Sequence, residues 1–154
     1  MNVLASYRRI SQWPAGRWLF SRLVCWKAPY FSSIAPRIES LEPGRGVASI
    51  AHRRKVTNHI GTVHAIAVCN GLEAAMGLLA EATIPSHRRW LPKGLEVAYL
   101  AKSTTDLLCI AETDPSDWAD DVNEVRVRVR AIRTDGEVVV EGVIPLHVTD
   151  KPQR

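Results

Sequence analysis

A carboxylate within an apolar segment is the feature of this sequence that most directly indicates chemistry. Glu73 lies inside the stretch 63–82, where a helix is predicted. Its helical neighbours at i±3 and i±4 are small, apolar or neutral residues: Cys69, Asn70, Met76 and Gly77. No basic side chain of the helix can pair with it, and a buried carboxylate without a partner is costly. We expect Glu73 to be buried and to act as a general base, with a solvated position at the helix rim as the alternative.

Other common catalytic and metal-binding signatures are absent from the sequence. It contains no glycine-rich phosphate loop, no GxSxG nucleophile elbow, no CxxC pair and no HExxH motif. We therefore expect no bound metal and no resident cofactor. The remaining polar candidates cluster between Asn58 and Glu73, and Thr62 is placed to cap the helix that follows it.

The predicted helix over 63–82 is apolar on nearly every face, and its strongly polar members are His64, Asn70, Glu73 and Glu81. Such a helix is either buried in protein or inserted in a membrane. Its polar and glycine positions favour burial in protein. No stretch of the chain reaches the ~18 consecutive apolar residues that a transmembrane helix needs. We expect no transmembrane segment.

Shorter elements precede and follow this helix. Two helices are predicted over 2–12 and 14–27, and two strands lie between Arg37 and His52. Four antiparallel strands are predicted after Pro85: residues 94–102, 106–113, 124–133 and 137–148. The third of them alternates valine with arginine, which is typical of a strand with one solvated face. The Asp-Gly pair at 135–136 then predicts a hairpin turn.

A single apolar helix needs a single concave apolar surface, which a strongly curved antiparallel sheet can supply. The chain has 154 residues, of which 46% are hydrophobic, and this is enough for one core. We predict an α+β fold in one domain over residues 1–154. An N-terminal helical segment would span 1–30, and the core of sheet and helix would span 37–148.

The stretch 58–65, NHIGTVHA, resembles the signature of hotdog-fold thioesterases of the phenylacetyl-CoA-degradation type. In that family an Asn lies six residues before a His that opens the central helix, and a catalytic carboxylate lies nine residues after the His. Those places hold Asn58, His64 and Glu73 here. The sequence resembles still more closely the less characterised branch of that superfamily with NHIGT or NHIGS and helices before the first strand. The resemblance implies a hotdog fold and an acyl-CoA thioesterase with these three catalytic residues.

The resemblance also implies how a thioester would be bound. Free N–H groups of Val63, His64 or Ala65 and the helix dipole would polarise its carbonyl, and Glu73 would activate the attacking water with help from Asn58. The other candidate substrate-binding residues of this region are Gly61, Thr62 and Asn70. A histidine hydrogen-bonded to its neighbours at the helix start is the alternative for His64.

His64 and Glu73 are nine residues apart, which places them about 180° apart around a helix. In the resembled family the loop comes from one subunit and the carboxylate from the other. The resemblance therefore implies a homodimer or a homotetramer that binds acyl-CoA or another acyl thioester. Where the better-known enzymes have two glycines after the His, this chain has Ala65 and Ile66. Side chains there narrow the oxyanion site, so a non-catalytic acyl-CoA binding or sensing protein is the alternative function.

Basic residues flank the predicted helix and are candidates for binding the phosphates of the thioester carrier. They are Arg53, Arg54 and Lys55 before it and His87, Arg88, Arg89 and Lys93 after it. Arginine suits bidentate phosphate contacts, so Arg88 and Arg89 are the preferred candidates. A solvated charged surface is the alternative. The net charge of +4 fits an anionic ligand but also an ordinary basic protein.

The first 38 residues contain six basic residues and no acidic one. A mitochondrial presequence is one interpretation. We favour two amphipathic helices that cover apolar surface of the core through Trp13, Trp18, Leu19, Leu23 and Trp26, and a peripheral membrane contact is a third interpretation.

The cysteines and the arginine-rich strand exclude further classes of protein. Cys25, Cys69 and Cys109 are odd in number and lie in apolar runs, so we expect free thiols and a cytoplasmic location. Aromatic residues do not interleave with the arginines of 126–133, so no nucleic-acid binding is expected. A dehydratase on the same fold is disfavoured, because the His-Phe-Pro-Gly type of motif is missing.

Overall fold

The computed structural model describes residues 2–152, which form three helices and seven strands. The helices are α1 (Val3–Ile10), α2 (Gly16–Lys27) and α3 (Ala65–Thr83). The strands are β1 (Arg37–Glu42), β2 (Arg45–Ile50), β3 (Arg88–Pro92), β4 (Glu96–Tyr99), β5 (Leu107–Glu112), β6 (Glu124–Arg133) and β7 (Val138–Asp150). Short 3-10 helices lie at Pro29–Ser33, Arg54–Val56 and Pro115–Trp118.

The strands form one curved antiparallel sheet in the order β1-β2-β5-β6-β7-β3, and β4 also pairs with β7. The alternation in β6 is confirmed, because Val125, Val127 and Val129 are buried while the intervening arginines are exposed. The predicted turn follows β6, with Gly136 at a φ of 89° that L side chains rarely adopt.

Helix α3 lies against the concave face of the sheet and packs mainly on β2 and β5. Its inner face buries residues such as Leu72, Met76 and Leu79 completely. The helix approaches the sheet so closely that a Cβ at Gly46 of β2 would lie 2.4 Å from the carbonyl oxygen of Ala75. The predicted arrangement of one helix on a curved antiparallel sheet is therefore confirmed.

The structure differs from the predicted elements in two places. Residues 88–92, for which no element was predicted, form β3, which pairs with the far end of β7 from Arg88 opposite Asp150 to Pro92 opposite Leu146. This strand is five residues long, lacks clear alternation and ends at a proline, so no local pattern identifies it. The strand predicted over 94–102 is present but shorter, because only Glu96–Tyr99 form β4.

Helix α3 is not buried on every face. Ile66, Glu73 and Glu81 are exposed and define a strip that the chain's own sheet leaves uncovered. By length and composition α3 could cross a membrane, yet 56% of its most apolar window is buried inside the protein. Its apolar residues are therefore explained largely by packing against the sheet.

Helices α1 and α2 pack against the sheet edge, but not through their tryptophans. Tyr7 and Phe20 are buried with their rings edge to face and their centroids 5.1 Å apart. The backbone N–H of Ile38 in β1 donates to Ser21 Oγ of α2 at 2.8 Å. The residues predicted to cover the core are instead 40–82% exposed: Trp13, Trp18, Leu19, Leu23 and Trp26. That prediction was wrong because smaller residues and Phe20 form the buried face of α2.

Candidate active site

Asn58 organises the loop that precedes α3. Its Oδ1 accepts hydrogen bonds from the backbone N–H groups of Ile60 at 3.1 Å and Thr62 at 3.2 Å. Its Nδ2 donates to Thr62 Oγ1 at 2.8 Å. Gly61 closes the turn at a φ of 81°, a conformation that favours glycine. Asn58 therefore acts within this chain as a positioning residue for residues 58–62, and both hydrogen bonds to its Oδ1 serve the loop.

His64, and not Thr62, caps α3. Its Nδ1 accepts a hydrogen bond from the backbone N–H of Ile66 at 3.1 Å. Thr62 is instead buried beside Asn58. A histidine that accepts through Nδ1 at a helix start matches the alternative considered for this residue.

Two of the three N–H groups expected to bind a carbonyl are already occupied. Val63 donates to the carbonyl oxygen of Ser103 at 2.8 Å, and His64 donates to that of Val56 at 2.7 Å. The expectation for these two groups was wrong, because the loop before α3 pairs with distant backbone. Within residues 2–152, the N–H groups of Ala65 and Ala67 have no hydrogen-bond partner.

A cleft of about 200 Å³ opens beside this first turn, and we call it the amino-terminal cleft. It is lined by the 3-10 segment after α2, by Lys55 to Thr57 and by α3, including Tyr30, Ser33, His64, Ile66, Ala67 and Asn70. Neither Tyr30 nor Ser33 was expected at this site from the sequence. The contact between Ser33 and Asn70 joins positions far apart in the chain, so no local motif indicates it.

Asn70 is the buried polar residue of the amino-terminal cleft. It is 6% exposed, and its Nδ2 donates to Ser33 Oγ at 3.2 Å. Its Oδ1 has no partner among the described residues. A buried acceptor without a donor is costly, so this oxygen is available to a water molecule or to a donor of a ligand in the cleft.

Glu73 does not lie in the amino-terminal cleft. It is exposed in the single chain and lines a second cleft of about 360 Å³ with residues 92–95 and Ile144, which we call the Glu73 cleft. The expectation that the chain's own fold buries Glu73 was wrong, because the sheet covers only the opposite face of α3. Within one chain, Glu73 and His64 line separate clefts.

Strands β3 and β4 flank the exposed strip of α3. Trp90 Nε1 donates to Glu81 Oε1 at 3.0 Å, and the Tyr99 hydroxyl lies 3.2 Å from Cys69 Sγ. The hydrogen bond between the Tyr99 hydroxyl and Cys69 Sγ, together with partial desolvation, raises the pKa of Tyr99 to about 12. Large apolar residues beside the strip are exposed, at 58% for Ile66, 62% for Leu91, 37% for Leu95, 53% for Tyr99 and 53% for Leu100.

Arg88 is buried among other residues of its own chain, which argues against its assignment as a substrate-binding residue. It is 2% exposed, and its guanidinium donates to the carbonyl oxygen of Ala119 at 3.0 Å and to Asn123 Oδ1 at 2.8 Å. Arg89 is exposed and, among residues 2–152, donates only to Thr149 Oγ1, at 3.2 Å. The basic residues that line the clefts are lysines, with Lys55 in the amino-terminal cleft and Lys93 in the Glu73 cleft.

This order of sheet, helix and loop also occurs in known proteins. The model of a domain of unknown function, DUF4442, matches residues 16–148. The chain belongs to the DUF4442 family. No curated protein matches this DUF4442 chain significantly. Among its described residues, no group of three or more His, Cys, Asp and Glu side chains could hold a metal ion.

Solved structures share the DUF4442 chain's architecture. One from a genomics project is 39% identical, with a TM-score of 0.85 over 97% of this chain and 99% of that one. A Pseudomonas aeruginosa protein of unknown function, described as a probable thioesterase, is 21% identical, with a TM-score of 0.75 over 85% and 93%. A thioesterase family protein from Silicibacter pomeroyi is 22% identical, with a TM-score of 0.69 over 85% and 96%. The DUF4442 chain has the hotdog fold, as predicted.

Proposed function

We propose that this protein hydrolyses acyl thioesters such as acyl-CoA, at sites shared between the two chains of a homodimer. The observation that carries the proposal is the pair of free backbone N–H groups of Ala65 and Ala67 at the start of α3. Ala67 lines the amino-terminal cleft, and α3 is long enough for its dipole to place partial positive charge there. Such donors suit an oxygen that gains negative charge during acyl transfer.

In this mechanism the thioester carbonyl oxygen accepts hydrogen bonds from Ala65 and Ala67. Water attacks the carbonyl carbon while the carboxylate of Glu73 from the other chain takes its proton. The two N–H groups stabilise the tetrahedral oxyanion, the C–S bond then breaks, and the proton passes from Glu73 to the departing thiolate. Asn58 acts indirectly, because it orders the loop from which α3 starts.

A second chain is part of the proposal because Glu73 and the amino-terminal cleft are separated within one chain. The exposed strip of α3 and the apolar residues beside it, including Leu91 and Tyr99, suit an interface between two copies. Pairing along this strip would desolvate Glu73 and place it near the other chain's first helical turn. A twofold contact would then create two equivalent sites.

For the phosphates of the carrier we propose Lys55, Lys93 and the exposed Arg89. The lysines line the two clefts, and the Arg89 guanidinium has only one hydrogen bond within the described chain. These side chains would provide charge at the rim without entering the reaction. Because Cys25, Cys69 and Cys109 are all free, we also propose a reducing, cytoplasmic location.

Ile66 favours a second candidate function, a non-catalytic acyl-CoA binding or sensing protein. Its side chain is 58% exposed at the mouth of the amino-terminal cleft, and its N–H is occupied by His64. Both features reduce the space and the donors available to an oxyanion.

One experiment separates the two functions. Pure protein is mixed with acyl-CoAs of increasing chain length while thiol release and binding heat are measured together. Thiol release above the uncatalysed rate supports the thioesterase. Binding heat without thiol release supports the sensor, and the absence of both contradicts acyl-CoA as the ligand.

A further inference from the structure

The outer half of α2 is an apolar surface that the rest of the described chain does not cover. We call it the tryptophan face and define it by Trp18, Leu19, Leu23 and Trp26, which are 60%, 40%, 45% and 82% exposed. The inner half of α2 packs through Phe20, Ser21 and Cys25. The helix is therefore held by one side, and its other side contributes little to the core.

Clustering distinguishes these residues from ordinary exposed side chains. Single exposed apolar residues are normal on proteins, whereas a contiguous apolar patch marks an interaction site. Two tryptophans and two leucines occupy successive turns of one helix, and the exposed aromatic ring of Tyr30 follows them directly. The tryptophan face is thus a candidate docking surface.

The charge around this surface indicates its partner. Residues 1–38 contain six basic residues and no acidic one. Within the described chain, Arg22 and Lys27, which lie among these side chains on α2, form no ion pair. By contrast, the arginines on the outer face of β6 have carboxylate partners: Arg126 with Glu96, Arg128 with Asp114, and Arg130 with Glu112. Cations left unpaired beside tryptophans and leucines are typical of helices that lie in the headgroup region of anionic bilayers.

A second copy of the chain fits this surface less well. A twofold contact through it would bring Arg22 and Lys27 of both copies together without acidic residues to neutralise them. The cores of protein interfaces are depleted of charge, whereas tryptophan with arginine or lysine suits the boundary between lipid headgroups and acyl chains.

We propose that the tryptophan face docks this protein onto the surface of an anionic lipid bilayer, with α2 lying in the plane of the headgroups. The surface continues into the amino-terminal cleft, because Tyr30 is 72% exposed and also lines that cleft. Docking would place the mouth of the cleft at the bilayer, where long acyl chains partition.

Co-sedimentation of the full chain with lipid vesicles tests the proposal. Vesicles of phosphatidylcholine alone are compared with vesicles that contain equal parts of phosphatidylcholine and phosphatidylglycerol. The protein should bind the anionic vesicles far better. The double variant Trp18→Ser with Trp26→Ser should lose about a hundredfold in partitioning, because burial of each large apolar side chain contributes about a factor of ten. Arg22→Glu should lose about tenfold, because it reverses a charge near the surface.

Matched controls lie on the outer face of the sheet. Leu108→Ser removes an exposed apolar residue, and Arg128→Glu reverses a charge far from α2. Both variants should bind vesicles like the wild type. Failure of the wild type to bind anionic vesicles, or equal binding by the tryptophan double variant, would overturn the proposal. Sedimentation without lipid provides a further test. If the double variant no longer forms an oligomer but still binds vesicles like the wild type, the tryptophan face contacts a second copy of the chain and not a bilayer.

Discussion

The Nδ1 atom of His64 accepts a hydrogen bond from the backbone N–H of Ile66 at 3.1 Å. The imidazole thereby caps α3 and removes one of the donors that the first helical turn would otherwise present. The donors left to a ligand are then the N–H groups of Ala65 and Ala67. Together with the backbone hydrogen bonds of Val63 and His64, this contact determines which donors could hold an oxyanion.

His64→Ala should destabilise the protein by about 1 kcal/mol, because a helix N-cap contributes about that much. Urea denaturation followed by circular dichroism measures the loss. His64→Asn retains an N-cap acceptor and should restore most of the stability. If His64 only caps the helix, the Asn variant should also retain thioesterase turnover, whereas inactivity of a stable Asn variant would indicate a chemical role for the imidazole.

Glu73→Gln should leave the free energy of unfolding nearly unchanged, because glutamine preserves the volume of the side chain. It should lower thioesterase kcat by about 100-fold or more if Glu73 is the general base. Glu81→Gln is the matched control, since Glu81 lies on the same exposed strip and the amide oxygen of glutamine can still accept from Trp90. Unchanged turnover of the Glu73 variant would assign the base to another carboxylate.

Mixing two inactive variants tests the shared site. Asn58→Ala disturbs the loop of its own chain, and Glu73→Gln removes the carboxylate that its chain would supply to the other. A heterodimer of the two variants contains one intact site, so unfolding and refolding them together should restore about a quarter of wild-type activity. Absence of recovery despite heterodimer formation, or a fully active monomer in sedimentation, contradicts a shared site.

Arg88→Met should destabilise the protein by about 1–3 kcal/mol, because the carbonyl oxygen of Ala119 and Asn123 Oδ1 lose their buried hydrogen-bond donor. Arg89→Met should change the free energy of unfolding by less than about 0.5 kcal/mol, since Arg89 is exposed. Urea denaturation of both variants measures the difference. A small effect at Arg88 would mean that the contacts to β7 and residues 119–123 contribute little.

Alkaline pH should weaken the fold through Cys109. Burial raises the pKa of its thiol from 9.0 to about 12. An unfolded chain therefore loses this proton first, so the stabilisation is present below about pH 9 and is lost as the pH rises toward about 12. The free energy of unfolding should fall over this range, and Cys109→Ala should make the fall shallower. If the free energy of unfolding falls equally steeply with pH in the Cys109→Ala variant, this thiol is excluded as a source of the pH dependence.

The sequence by itself determined the elements whose signals are local. The valine–arginine alternation of β6, the Asp-Gly turn after it and the largely apolar pattern of α3 each depend on neighbouring residues, and all three elements appear in the structure. The loop over NHIGT is likewise organised by neighbouring residues, because Asn58 and Gly61 supply the side-chain acceptor and the positive φ that the turn needs.

Only the tertiary structure decided the features that depend on distant partners. Strand β3 forms because residues 88–92 pair with residues 146–150 of β7. These residues are far apart in the sequence, so no short segment contains both partners. The backbone N–H groups of Val63 and His64 are occupied, because they donate hydrogen bonds to the carbonyl oxygens of Ser103 and Val56, respectively. The sheet covers one face of α3 and leaves Glu73 outside, so the burial of that carboxylate depends on a surface beyond its own chain. A hydrophobic pattern shows that a face must be covered, whereas the position of the covering surface is set by long-range packing.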